Sequence, residues 1–361
     1  MDIFLPDSHR DINYHEMGEW KHFFMHLVFI FQFCCLLFNV LLLFAAHDNR
    51  RVAFLPIPYI IVMSLTGILV CVLMNVNLLA FMYSTKENYE EYIVNFGPIV
   101  TLGSTFTYFF SILITVLMTV NRLAIVIKPL NNYFTQARVY LYCGIIAAVV
   151  LTSLLVPFYS PCFVTFTFTK MAFISACAPD KHPITLFQNE YAILLPLSCM
   201  LTNLGIIIHL RLARNGMYPV IERLFCKSEV QVDQIKKLKS SFAENEVLFI
   251  DKPFPKPTHQ SKMRARRDYV MMRQTVSIAI YLSIYESGAF LTRMFPDAYA
   301  SLPDYLRDFY FFFRMESIAF MNVFIYFIET ASTRRMIRRY LNLNNSETTV
   351  RVATVTPARI T

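Results

Sequence analysis

Apolar residues in this chain fall in long unbroken runs, not in alternation with polar ones. Seven runs reach the ~20 residues that a helix needs to cross a hydrocarbon core of ~30 Å. They lie at about 23–46, 55–82, 99–127, 139–161, 190–212, 270–295 and 308–328. None has the period-two pattern of a barrel strand. A segment in lipid must satisfy its backbone polar groups internally, so each run is expected to be a helix. The pattern predicts an all-α integral membrane protein, a seven-transmembrane helix bundle over residues 23–329. A polar terminus (1–22) precedes it and a polar tail (330–361) follows. The longest connection, 213–269, is mixed in charge and contains a Pro-rich stretch and the basic run KMRARR at 262–267. It reads as a solvated loop, with a partner-docking surface as the alternative.

Composition excludes the soluble reading. Hydrophobic residues make up 56% and charged residues 16%, against about 45–50% and about 25% in soluble domains. The first apolar run is longer than a signal h-region and has no basic n-region before it, so it is expected to stay in the membrane. The net charge of +8 would suggest nucleic acid in a soluble protein. Here it sorts by side. Arg50, Arg51, Arg122, Lys128, Arg138, the basic group between runs five and six, and Arg334, Arg335, Arg338 and Arg339 all fall on one side. That side is the cytosol, which places the N-terminus outside and implies no nucleic-acid partner.

After the seventh run, Met336, Ile337, Tyr340 and Leu341 share one helical face, and the four arginines 334, 335, 338 and 339 share the other. This pattern predicts a short amphipathic eighth helix lying on an anionic inner leaflet.

Three motifs at the ends of these helices carry a resemblance. Asn121-Arg122-Leu123, followed by Pro129-Leu130, resembles the acid-Arg-Tyr and Pro-Leu pattern of rhodopsin-like G-protein-coupled receptors. Asn322-Val-Phe-Ile-Tyr326 resembles their Asn-Pro-x-x-Tyr, and Phe38-Asn39 their Gly-Asn pair. The degraded motifs are most similar to the nematode serpentine chemoreceptors, class Xa or class X. The resemblance implies a receptor that binds a small external molecule in the outer half of the bundle and signals to a heterotrimeric G protein. It implies a multi-pass protein of the plasma membrane, in sensory cells. Asn121, Arg122, Pro129, Asn322 and Tyr326 would serve coupling and activation. The departures matter. Asn121 replaces an acid, so its hold on Arg122 should be weaker. Helix two has no Asp or Glu for the family's sodium site. Val323 replaces Pro, so helix seven should keep its regular ladder there. The family's cysteine at the outer end of helix three is missing, its place falling near Gly97.

Ionisable residues inside a membrane are costly and point to function by default. Glu286 lies about 14 Å below the outer end of helix six, and Arg314 and Glu316 about 9–12 Å below that of helix seven. Glu286–Arg314 is the natural ion pair, either a fastener between two helices or part of the ligand cavity. Thr101, Ser104, Thr105 and Tyr108 reach similar depth on helix three, as pocket lining or as polar glue between helices. Cys162 and Cys177 both fall in one outer connection, as a disulfide or as two free thiols. His22 and His26 have metal-pair spacing but no third ligand nearby, so no metal is expected. No P-loop, HExxH or GxSxG motif is present, and neither an enzyme nor a cofactor is expected. The rivals are a ligand-gated channel, which would place the N-terminus inside, and a transporter, which would need an inverted repeat.

Overall fold

The computed structural model describes residues 18–50, 55–127, 133–167, 172–177, 180–214, 259–303, 305–307, 309–310 and 319–341. Pro129, Arg314 and Glu316 lie outside these, as does most of the long connection. The elements in chain order are α1 (Glu19–Asp48), α2 (Ile57–Tyr83), α3 (Lys86–Ile127), α4 (Gln136–Phe158), β1 (Val164–Thr167), β2 (Ala172–Ser175), α5 (Pro183–Tyr191), α6 (Leu194–Arg214) and α7 (His259–Met294). A short turn at Pro296–Ala300 follows α7. The last two are α8 (Ala319–Glu329) and α9 (Ala331–Tyr340).

The chain forms a membrane helical bundle. Among the described residues, five helices are long and apolar enough to cross a bilayer. α1 packs on α2, α2 on α3, α6 on α7, and α7 on α8, while α9 and α8 return to α1. α3 runs through the middle and touches α2, α4, α6, α7 and β1. The core sits between these helices, with Leu42, Ile60, Met63, Ile112, Ile114, Ile278, Ile325 and Tyr326 buried together. Leu27, Ile30, Phe33, Leu37, Ile145 and Val149 are exposed, as lipid-facing side chains must be.

Being central, α3 buries many hydroxyls, and its own backbone takes their protons. Thr101, Ser104, Thr105, Ser111, Thr115 and Thr119 each donate to the carbonyl four residues earlier, at 2.8–3.0 Å. This satisfies polar groups where no water can.

The structure corrects several expectations. α3 starts at Lys86, well before 99, and carries Pro98 inside it. Tyr89, Ile93, Gly97 and Thr101 recur at four-residue spacing on its buried face, a helical stripe that outweighs the bond lost at Pro98. The run at 190–212 forms α6 (Leu194–Arg214), and a further helix, α5, precedes it in the outer connection, parted from it at Ala192–Ile193. The basic run 262–267 lies in the first turns of α7, not in a loop. An antiparallel hairpin, β1–β2, stands between α4 and α5 where no strand is expected. Its strands are rich in β-branched and aromatic residues, VTFT and AFIS.

Helix seven does not keep a regular ladder at Val323. Val323–Glu329 is π-helical even without a proline. Side chains beyond it take up its loosened carbonyls. Thr330 Oγ1 donates to Ile325 O at 2.7 Å, and Arg334 donates to Phe327 O (2.8 Å) and to Ile328 O. Arg334 is therefore committed to α8 and does not join the other three arginines of α9. Met336 and Ile337, the apolar face of α9, are buried in the bundle core.

Candidate functional site

A cavity of about 140 Å³ opens among α3, α5, α7 and the hairpin. The sequence-predicted residues Ser104, Thr105, Tyr108 and Glu286 all line it. Glu286 is almost fully buried, with 2% of its surface exposed, and already interacts within the protein. Tyr108 stacks obliquely on Tyr285 of α7, ring centroids 5.2 Å apart, and edge-on against Phe109 at 5.4 Å. Aromatic side chains thus form much of one wall.

Thr101 does not line the cavity. It holds the hairpin, accepting from Phe166 N at 3.2 Å while donating to Gly97 O. Gly97 makes this approach feasible, because a Cβ there would lie 2.9 Å from Thr165 Cγ2. Where the resembled family has a cysteine, this chain has a small residue against which the hairpin packs. Hairpin side chains Val164 and Phe173 then close the cavity.

A disulfide joins Cys162 and Cys177 across the base of the hairpin. At a sequence separation of 15, it should stabilise by about 3 kcal/mol. Non-reducing peptide mapping is expected to find the two residues cross-linked. The double variant Cys162→Ser/Cys177→Ser and the wild type in reductant should unfold at the same, lower temperature. Equal stability with and without the bond would contradict this.

The sequence misses Thr185, Gln188 and Asn189 of α5, which also line the cavity. Their signal is present, since i, i+3 and i+4 share one helical face. Phe187 and Tyr191 stack at 4.7 Å and are exposed. α5 thus turns polar residues inward and aromatic ones outward, the reverse of a soluble helix.

At the far end of α3, Asn121 donates to Tyr59 OH of α2 at 3.0 Å. Arg122 is 6% exposed and donates to Asn203 Oδ1 of α6. Asn203 Nδ2 in turn donates to Thr119 Oγ1 (3.0 Å) and Cys199 O (2.7 Å). Arg122 is thus bound to a neutral amide on another helix. Midway along, Asn322 Nδ2 donates to Asn39 Oδ1 (2.7 Å) and Met63 O (2.8 Å), tying α8 to α1 and α2. Tyr326 is buried in the core. Arg273 of α7 pairs with Glu329 of α8 at 2.9 Å, next to Gln274 donating to Thr330 Oγ1.

Among the described residues, no group of three His, Cys, Asp or Glu is placed to hold a metal.

Residues 54–204 match the family model of the Caenorhabditis serpentine receptor-like proteins, class xa. The chain is also 26% identical over 312 residues to serpentine receptor class XA 10 of Caenorhabditis elegans, covering 86% of this chain and 87% of that one. The chain is thus similar to the nematode class xa serpentine receptors.

Proposed function

We propose that this protein is a G-protein-coupled chemosensory receptor whose ligand occupies the cavity beneath the β1–β2 hairpin. The observation that carries the reading is the arrangement along α3. The middle of this helix lines a partly open polar and aromatic cavity, and its far end carries Arg122 bonded to α6. A ligand that favours one placing of α3 against α6 and α7 shifts a two-state bundle. The partner then binds at the Arg122 end.

In this reading the hairpin end faces outward, as the Lys/Arg asymmetry demands. The bundle has seven spans, the fifth made by α5 and α6, and the seventh ends in α8. α9 is the eighth helix, with Arg335, Arg338 and Arg339 toward an anionic inner leaflet. The site is the plasma membrane of sensory cells. The ligand seat comprises Ser104, Thr105, Tyr108 and Glu286, with Thr101 behind it as the support of the hairpin. Arg314 and Glu316 are its counterparts on the seventh span. Asn121, Arg122, Pro129, Asn322 and Tyr326 belong to coupling and activation.

An N-terminal epitope should stain on intact cells. Agonists from an odorant panel should recruit a heterotrimeric G protein. Arg122→Ala should reduce that recruitment at least tenfold, about 1.4 kcal/mol, with ligand affinity unchanged. An N-terminus stained only after permeabilisation, or an agonist response untouched by Arg122→Ala, would overturn the reading.

A further inference from the structure

The chemistry of the cavity narrows the class of molecule it takes. Two hydroxyls in its lining have no hydrogen-bond partner, Tyr108 OH on α3 and Thr185 Oγ1 on α5. They stand on different elements, and both are buried where bulk water does not serve them. The other hydroxyls nearby, Ser104 and Thr105, have already given their protons to the α3 backbone. What is missing is therefore a polar group at Tyr108 and Thr185 in particular, because an unsatisfied buried hydroxyl is unfavourable.

Charge excludes two alternatives. Glu286 is the one formally charged side chain among the described lining residues, and no Lys, Arg or His stands there to receive an anion. Nor is Glu286 a vacant counter-ion for an amine, since it already interacts within the protein. Size and wall character fix the rest. A cavity of about 150 Å³ can hold a benzene-sized molecule, and this one is about 140 Å³. Tyr108, Phe109, Phe158, Phe173 and Tyr285 supply faces for an apolar or aromatic body.

We infer that the cavity takes a small uncharged molecule with an apolar body and one hydrogen-bonding head, an alcohol, aldehyde or ketone, whose head is held between Tyr108 and Thr185. The inference rests on reading the cavity as the ligand seat. No covalent step is involved. Tyr108 donates to the oxygen of the head, and Thr185 donates to it or accepts from it.

The test is a series of nearly equal shape: benzyl alcohol, benzaldehyde, toluene, benzoate and benzylammonium. Binding to the full-length protein in phosphatidylcholine nanodiscs is measured by saturation-transfer NMR. Partition into lipid is subtracted with Ala192→Phe, which fills the cavity. Benzyl alcohol and benzaldehyde are expected to bind about tenfold tighter than toluene and benzoate, the worth of one good hydrogen bond. Tyr108→Phe and Thr185→Val should each shrink that preference severalfold while leaving toluene binding unchanged, which also shows that the cavity is still formed.

Toluene binding as well as benzyl alcohol, or a preference untouched by both variants, would overturn the inference. So would benzoate binding tightest. Benzylammonium binding tightest, with the advantage lost in Glu286→Gln, would assign a cationic ligand instead. No binding anywhere in the series would reject this class, and the G-protein assay would still judge the receptor reading by itself. Selective binding without G-protein recruitment by any agonist would sink the signalling reading and leave the ligand class standing.

Discussion

Gly67→Ala is expected to destabilise the bundle by about 1–4 kcal/mol and to lower its surface expression. A Cβ at Gly67 would stand 2.3 Å from Asn39 Oδ1 and 2.6 Å from both Asn39 Cγ and Asn322 Nδ2. Two flexible amides would normally swing aside at little cost. These are tied at their far ends, Asn39 Nδ2 to Cys35 O at 2.8 Å and Asn322 Nδ2 to Met63 O at 2.8 Å. Room for the methyl group must come from breaking the Asn39–Asn322 bond or from moving α2 away from α1 and α8. Overpacking of this kind costs about 1–3 kcal/mol, and each amide atom left buried and unsatisfied about 1–3 kcal/mol more. Against this, alanine exceeds glycine in helix propensity by about 1 kcal/mol. The steric and polar terms outweigh it. Gly144→Ala in α4 is the control, because a Cβ there meets nothing within 4 Å. It should be neutral or stabilising by up to about 1 kcal/mol. Thermal unfolding of the two purified variants checks the pair, and equal melting temperatures would refute the knot as a source of stability.

The Gly67 knot also marks the limit of what the chain reveals by itself. Asn39 and Asn322 stand out in the sequence because amides are rare in apolar runs. That they bond to each other, across 283 positions, depends on a glycine whose role is only to be small. The same holds at Gly97, which lets the hairpin reach α3. Run length and charge sidedness suffice for a membrane bundle, because lipid thickness and positive-inside bias act on each segment alone. Boundaries fare less well where competing terms are close. Pro98 argues for a helix start, and a four-residue stripe of buried residues on both sides of it wins. α8 departs from regularity for a reason that lies outside it, in Thr330 and Arg334.

The cavity shows the same division. Ser104, Thr105, Tyr108 and Glu286 attract notice as polar groups at similar depth. α5 escapes notice because an outer connection does not look like a helix, and because its polar face turns inward only once the hairpin and α7 supply the other walls. Arg122 is legible as a motif residue, whereas its bond to Asn203 is not. Asn203 sits 81 positions away and has no motif of its own.

That bond gives the other large expected effect. Asn203→Leu removes the carbonyl oxygen that receives Arg122, one of the partners of a guanidinium that is 6% exposed. A hydrogen bond to a charged group is worth about 1.5–3 kcal/mol. Asn203→Leu is therefore expected to cost about 1.5–3 kcal/mol. The amide's bonds to Thr119 Oγ1 and Cys199 O are lost as well, but those partners keep other roles. Thr119 still donates to Thr115 O at 3.0 Å, and Cys199 O is a helix carbonyl. The loss therefore resides chiefly in the lost hydrogen bond to the buried charge, which makes it recoverable. Arg122→Met/Asn203→Leu, an apolar pair of similar reach, should regain at least half of it. Additive losses in that double variant would show that the two side chains act separately. The bond also joins α3 to α6 at the end where a partner would dock. Each 1.4 kcal/mol by which it favours the resting bundle over the active one should appear as a tenfold rise in ligand-free G-protein recruitment by Asn203→Leu. A variant that loses stability with no change in basal recruitment would mean that the bond persists in both states and only fastens the helices.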